Sequence, residues 1–425
     1  MKVYLDSIGC RLNQSEIESI AGRFRTAGHE ILAEPHHADV AVVNTCAVTN
    51  AAVSDSRAAI RQIARAGVAQ IVSTGCWATL NHEEACALPN VVRVVPNNQK
   101  NQLVADFLNL PDEIYNLEPL AREPLPGLHH RTRAFIKVQD GCDNHCTFCV
   151  TTIARGGSLS RSEPAIIQDI KAALSGGARE IVLTGVHLGS WGYDINSRLR
   201  NLIRMILQET DAPRIRLSSL EPWDLDEDFL ALWEDRRLMP HLHLPLQSGC
   251  RSTLKRMARK TGPKAFRNLV YSARQIIPEV AITTDIIAGF PGEKESEFDE
   301  SLDFVREMNF AGGHVFTYSL RPGTAAARMH GQISTGIKKQ RGERLRQVLD
   351  ESAQTYRSQF VGREVQALWE SVSKFGDSGW QVEGCSGNNL RISACSPTPR
   401  WNELDDVIVM ASEGKILRGV IRNSG

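Results

Sequence analysis

The chain of 425 residues has no apolar run that approaches the roughly 20 residues a membrane-spanning helix needs. Excess charge of either sign is missing as well. Lys plus Arg and Asp plus Glu each total 49, so only a local surface can attract nucleic acid. There is no low-complexity tract and no repeat of solenoid period. Residues 1–10 read as a strand, not as a charged and then apolar leader. A cytoplasmic protein with no membrane partner is therefore expected. In that compartment the 10 cysteines stay reduced, and clusters of them serve as metal ligands or nucleophiles rather than as a disulfide framework.

The length exceeds what one hydrophobic core usually supports, so two or three domains are expected. A strand over residues 2–7 is followed by Ser15 and Glu18 as a capping box. Ile17, Ile20, Ala21 and Phe24 then recur at helical spacing until Gly28. A strand over 38–45, a helix over 54–66 ended by Gly67, and a strand over 70–74 continue the alternation. This predicts a doubly wound parallel sheet for residues 1–115. Residues 116–130, with Pro119, Pro124, Pro126 and Gly127, read as a linker. Over 131–360, six strands (134–139, 180–184, 214–218, 241–246, 280–287 and 313–319) alternate with helical patterns and predict a partial (β/α)6 barrel. From 361 to 425 five short strands separated by Gly, Asp, Asn and Ser predict a small C-terminal β-barrel. The class is α/β.

The segment Gly141-Cys142-Asp143-Asn144-His145-Cys146-Thr147-Phe148-Cys149 follows the first barrel strand. Thiolates at this spacing can wrap one face of a [4Fe-4S] cube, binding three irons and leaving the fourth a free position. A zinc site usually takes two separated pairs, and no second Cys-x-x-Cys or His-x-x-x-His lies nearby. His145 reads as a surface or supporting residue. Cys10, Cys46 and Cys76 are far apart in sequence, yet each follows a predicted parallel strand. The carboxyl ends of neighbouring strands line one crevice, so the three thiols should converge. Gly9 and Gly75 give the backbone freedom to aim two of them. The alternative is three small buried residues that close strands. Cys86, Cys250, Cys385 and Cys395 read as ordinary residues.

The loop around Cys142 resembles the signature of the radical S-adenosylmethionine superfamily. The resemblance implies that the open iron is chelated by the amino and carboxylate groups of S-adenosylmethionine, and that an electron from the cluster breaks its S–C5′ bond to give a 5′-deoxyadenosyl radical. It places Phe148 near the adenine and Thr184 and Gly185 at the methionine amino group, with Ser219, Gln247 and Asp285 at later strand ends facing the same mouth. Each of these could instead cap a backbone group at a strand end.

Gly9-Cys10-Arg11-Leu12-Asn13-Gln14, Asn44-Thr45-Cys46-Ala47-Val48-Thr49 and Thr74-Gly75-Cys76 resemble the amino-terminal motifs of the methylthiotransferases, a branch with two [4Fe-4S] clusters. The likeness continues through Leu183 to Gly189, His243 to Gly249, Gly289 to Glu293 and Arg321 to Thr324. It implies that Cys10, Cys46 and Cys76 hold the second cluster. It further implies S-adenosylmethionine, a tRNA anticodon stem-loop, and an electron donor such as flavodoxin or ferredoxin as partners. Ser248-Gly249-Cys250 and Thr283-Thr284-Asp285 most resemble the enzymes that methylthiolate carbon 2 of N6-threonylcarbamoyladenosine beside the anticodon. Rival readings are isopentenyladenosine in tRNA or a ribosomal-protein aspartate as substrate, or a non-catalytic iron-sulfur electron carrier. The small barrel resembles the RNA-binding TRAM domain, with Trp369, Trp380, Arg391, Arg400, Trp401 and Arg418 as candidate contacts. The helix over 337–360, bearing Lys338, Lys339, Arg341, Arg344, Arg346 and Arg357, is either a phosphate track or a solvated face.

Overall fold

The computed structural model describes residues 1–111, 132–374 and 379–422; the expected linker over 116–130 lies outside the described residues. The chain forms two compact units. The first contains Met1–Asn144, Val150–His187 and Trp191–Ser197, and the second contains His145–Cys149, Leu188–Ser190 and Arg198–Gly425.

In the first unit β1 (Lys2–Ser7), β2 (Glu30–Leu32), β3 (Val40–Thr45), β4 (Gln70–Gly75) and β5 (Val91–Val95) form a parallel sheet in the order β2-β1-β3-β4-β5. Every residue of β3 is buried, as a central strand covered on both faces requires. Sequence periodicity did not reveal β2 or β5, which are short edge strands with only part of each buried. The expected capping box is not present. The helix Arg11–Thr26 starts after Cys10, which places Ser15 and Glu18 inside it. Ser15 Oγ instead accepts a hydrogen bond from Lys137 N at 3.0 Å. Ile17, Ile20, Ala21 and Phe24 are buried, as their spacing predicts.

The expected strand over 134–139 is divided into β6 (Arg133–Lys137) and β7 (Gln139–Asp140). β7 pairs antiparallel with β8 (Leu159–Ser160), and β6 pairs parallel with β9 (Glu180–Thr184). In the second unit β10 (Arg214–Leu217) precedes β11 (His241–His243), β12 (Ala281–Ala288) and β13 (Gly312–Thr317), the last three forming a parallel sheet. β11 is shorter than expected because Pro245, which has no N–H, cannot extend a ladder. The strand-helix order of β6 and β9 to β13 is that of a partial (β/α)6 barrel.

The remaining strands, β14 (Glu364–Lys374), β15 (Trp380–Ser386), β16 (Arg391–Ser396), β17 (Leu404–Glu413) and β18 (Ile416–Ile421), close into a barrel in the order β14-β15-β16-β18-β17. Register shifts in β14 and β17 supply the bends that closure needs. Arg214 and Arg216, fully buried on β10, fasten this barrel to its own unit: Arg214 donates to Cys385 O at 3.3 Å, and Arg216 donates to Gly387 O at 2.9 Å and Ser386 O at 3.2 Å. Among the described residues, no helix is long and apolar enough to cross a membrane.

Candidate metal centres

Cys10, Cys46 and Cys76 stand just past the carboxyl ends of the neighbouring strands β1, β3 and β4, whose register pairs Ser7 with Asn44 and Thr45 with Gly75. Burial pushes the Cys46 thiol up to about 11, and Cys10 and Cys76 push the same way because thiolates this close repel one another. The three thiols are therefore near enough to feel one another's charge. Their chemistry suits bound iron, because a cation among the sulfurs removes both obstacles to ionisation and takes the thiolates as ligands. Gly9 and Gly75 both have φ +97°. A Cβ on Gly9 would lie 2.4 Å from Cys46 Sγ, and one on Gly75 would lie 2.3 Å from Thr45 O. Gly9→Ala should therefore lower the iron bound at this site, read by iron quantification in a variant whose other cysteine triplet is replaced. Undiminished iron would count against a metal site here.

Of the second triplet, Cys142 belongs to the first unit and Cys146 and Cys149 to the second. Gly141 has φ +67°, and a Cβ on it would lie 1.8 Å from Gly157 O, so this position accepts only glycine. Cys142 N donates to Gly156 O at 3.1 Å, and Cys142 Sγ accepts from Asn144 N at 3.4 Å. Fully buried Gln139 shapes the approach: its Nε2 donates to Asp140 O and Gly141 O at 2.8 Å, and its Oε1 accepts from His187 N at 2.9 Å. In the second unit Cys149 N donates to Cys146 O at 3.0 Å. Thr147 anchors this part of the loop, its N donating to Met257 O at 3.1 Å and its Oγ1 to Arg256 O at 2.9 Å. His145 is exposed, as expected.

Arg259 and Glu221 were not legible in the sequence. Arg259 donates to Cys146 Sγ at 3.7 Å, to both Glu221 oxygens at 3.1 and 2.6 Å, and to Pro245 O at 2.8 Å, with its guanidinium 4.6 Å from the Trp223 ring centre. Burial raises the Cys146 thiol and Arg259 opposes the rise. These residues lie far along the chain from Cys146 and belong to no periodic pattern, so no local signal marks them.

Phe148 packs edge-on against Phe290 with ring centres 6.4 Å apart, beside Leu254, Met257 and Tyr318. The other expected cofactor contacts fall into two groups. In the first unit Thr184 is buried, its carbonyl accepting from Val138 N at 2.9 Å, and a Cβ on Gly185 would lie 2.8 Å from Gln139 Oε1. In the second, Ser219 and Gln247 lie past the ends of β10 and β11, whereas Asp285, expected at a strand end, stands inside β12, because that strand runs on to Ala288. Ser219 bridges to His243, and Gln247, at φ +69°, donates through its backbone to Asp285 O at 2.8 Å. The Asp285 carboxylate meets His243 Nε2 and His314 Nδ1, each at 3.3 Å. Burial alone would raise that carboxyl, but the two histidines outweigh it and hold it well below the usual carboxylate range.

Of the small barrel's candidate nucleic-acid contacts, each of which could equally be a core aromatic or a solvated cation, the structure excludes one. Trp369 is fully buried in the small barrel, its Nε1 donating to Asp405 at 2.7 Å, so it is a core residue and not a stacking platform. Arg391 pairs with Glu370 at 3.1 Å, Arg418 pairs with Glu413 at 3.0 Å, and Arg400 is bonded to Asp405. Trp401 is exposed, and Trp380 is partly so. On the helix Thr335–Ser358, Arg341 is buried against Glu293 at 2.9 Å and Arg344 pairs with Asp299 at 2.9 Å. Burial takes Arg341 out of any phosphate track, while Arg344 stays partly exposed beside its partner. Lys339 and Arg346 remain exposed, and Lys338 lies 5.1 Å over the Tyr318 ring.

Comparison with known proteins gives the class of this arrangement. A model described as Uncharacterized protein family UPF0004 matches residues 2–96, and the Radical SAM superfamily model matches residues 136–305. The fold resembles that of TsrM, a radical S-adenosylmethionine methyltransferase from Kitasatospora setae, with a TM-score of 0.59 at 13% identity over 77% of each chain. Barrel, cysteine loop and superfamily match together define a radical S-adenosylmethionine enzyme. Among curated relatives, the threonylcarbamoyladenosine tRNA methylthiotransferase MtaB of Bacillus subtilis is 34% identical over 92% of this chain and 89% of its own. The tRNA-2-methylthio-N(6)-dimethylallyladenosine synthase of Geobacillus thermodenitrificans is 29% identical over 99% of this chain and 84% of its own. The chain belongs to the radical S-adenosylmethionine methylthiotransferases. It is a transferase that works with two [4Fe-4S] clusters and S-adenosylmethionine.

Proposed function

We propose that this chain transfers a methylthio group to carbon 2 of N6-threonylcarbamoyladenosine next to the anticodon of tRNA. The observation that carries the reading is the pair of cysteine triplets, one on a glycine-turned loop and one gathered at the ends of β1, β3 and β4. Cys142, Cys146 and Cys149 hold the cluster that engages S-adenosylmethionine, and Cys10, Cys46 and Cys76 hold the auxiliary cluster. When bound, these groups supply the electron that cleaves S-adenosylmethionine and the sulfur that is methylated and transferred. The protein contributes position and exclusion of water. Gln139 and Thr147 hold the loop, Arg259 braces Cys146, and Phe148 offers a ring edge to the adenine. Thr184 and Gly185 receive the methionine amino group, while Ser219, Gln247 and Asp285 face the rest of the cofactor. No side chain need act as a base on the carbon, since such a C–H bond has no useful acidity near neutral pH.

The base must be presented unstacked, and an anticodon-loop nucleotide is already single-stranded and accessible for this. The working domains are residues 1–115, 131–360 and 361–425, the enzyme acts in the cytoplasm, and a flavodoxin or ferredoxin delivers electrons. The substrate assignment draws on the 34% identity to the Bacillus subtilis enzyme. Nucleoside mass spectrometry of tRNA from cells with and without this protein tests it. The methylthio form of threonylcarbamoyladenosine should vanish without the protein, whereas loss of the methylthio form of isopentenyladenosine would transfer the assignment to that substrate. Purified protein that yields no 5′-deoxyadenosine from S-adenosylmethionine on reduction would be an electron carrier.

A further inference from the structure

Five charged side chains meet in the first unit: Glu16, Lys100 and Arg155, which are buried, and Lys137 and Asp140, which are partly exposed. Lys100 Nζ donates to Glu16 at 2.6 Å and to Asn44 Oδ1 at 3.1 Å. Lys137 Nζ donates to Glu16 at 2.9 Å and to Asp140 at 2.5 Å. A guanidinium has five N–H donors, and each of those on Arg155 has an acceptor. Nη1 donates to Glu16 at 2.8 Å and Asp140 at 2.9 Å, Nη2 donates to Asn13 Oδ1 at 2.9 Å and Glu16 at 3.2 Å, and Nε donates to Cys76 Sγ at 3.2 Å.

Three cations face two carboxylates, which leaves one positive charge over. The Arg155 side chain is 2% exposed and that of Lys100 is 3% exposed, and a buried charge without a counterion is costly. The one Arg155 acceptor that is neither carboxylate nor amide is the Cys76 sulfur. A thiolate-ligated cluster would supply the missing negative charge at that place. The segment bearing Arg155 is also tied down independently, with Asn97 Nδ2 donating to Ala154 O at 2.9 Å and to Cys76 Sγ at 3.6 Å.

We propose that Arg155 is a positioning residue for the auxiliary cluster, holding Cys76, raising the reduction potential of the cluster, and fastening that site to the segments flanking the barrel's cysteine loop. The flanking follows from position in the chain: Asp140 stands two residues before Cys142, and Arg155 stands six residues after Cys149. The direction of the potential follows from electrostatics. The reduced cluster carries one more negative charge, and hydrogen bonds and positive charge at its sulfurs stabilise that state.

This inference rests on the reading that Cys10, Cys46 and Cys76 hold a cluster. The test therefore uses the full chain with Cys142, Cys146 and Cys149 replaced by alanine, so that only the auxiliary cluster remains. Iron content is measured first, and then a redox titration is followed by electron paramagnetic resonance. In this background R155Q should shift the midpoint to a more negative potential. D140N, which leaves the guanidinium but removes a negative charge bonded to it, should shift the midpoint the other way. If R155Q does not accumulate as folded protein, R155K takes its place, because an ammonium cannot bond Cys76 and Glu16 through a rigid fork and should also lower the midpoint. Shifts of opposite sign support the role. An unmoved midpoint in the Arg155 variant, or shifts of the same sign in both variants, overturns it. An absence of iron in the background protein would overturn the ligand assignment itself and is read before any variant is compared.

Discussion

Replacing Cys142, Cys146 and Cys149 together by alanine should reduce formation of 5′-deoxyadenosine from S-adenosylmethionine to background while bound iron falls by about half, since one of two equal clusters is lost. Apart from the bond from Asn144 N to Cys142 Sγ, the backbone anchors of this loop do not use the sulfurs. Gln139 holds Gly141 O at 2.8 Å, Thr147 is anchored to Arg256 O and Met257 O, and Cys149 N is bonded to Cys146 O. The variant should therefore remain folded, and its failure would be chemical. Each single replacement should have the same effect on turnover, because three thiolates are needed to leave one iron open. Iron quantification together with chromatography of the nucleoside product reads both effects. Persistent turnover in the triple variant would exclude the loop as the seat of cofactor cleavage.

The second large effect concerns stability. Glu16 is the common acceptor of Lys100, Lys137 and Arg155. Glu16→Ala would leave buried Lys100 without a carboxylate and Lys137 and Arg155 with Asp140 alone, and breaking a buried pair from one side costs about 3–5 kcal/mol. That is a large share of the roughly 5–15 kcal/mol that holds a typical domain folded. Urea unfolding of the full chain should show the loss as a lower midpoint for the first unit.

The pH dependence has a definite sign. Burial alone would raise the Glu16 carboxyl, but Lys100, Arg155 and Lys137 outweigh it and hold it well below the usual carboxylate range. Lys100 is itself lowered, because its own burial outweighs the pull of Glu16. The direction that governs the network is that of Glu16, which three cations touch at once. A carboxyl with a depressed folded value binds more protons when unfolded. Its contribution is therefore present above the ordinary glutamate value of about 4.3 and is lost as pH falls through the folded value. Acid unfolding should be less steep in Glu16→Ala than in the parent protein, and equal slopes would remove Glu16 from the account.

The two cysteine triplets were legible for different reasons. The loop triplet is local: three thiols within eight residues, preceded by a glycine that the backbone turn requires. Cys10, Cys46 and Cys76 could be joined because parallel strands bring their carboxyl ends to one side, and the register of β1, β3 and β4 places them so. The closed C-terminal barrel was legible from short strands between turn residues. The Ser15 and Glu18 motif misled because it fits a helix start and also the interior of a longer helix. Ser15 is an acceptor for Lys137 N, a partner 122 residues away.

The amino-acid order by itself determined which cysteines to group as candidate ligands, the alternation of strands and helices, and the five-stranded small barrel, because each is written in short spacings, in the order of parallel strands or in the period of buried residues. Only the tertiary structure decided which charges serve the sulfurs. Arg155 reaches Cys76 across 79 residues and Arg259 reaches Cys146 across 113. It also turned Trp369 inward and bound Arg341 to Glu293. An arginine at the surface and one braced beneath a ligand have the same local sequence signature. What separates them is burial and the carboxylates that other parts of the chain bring to meet them.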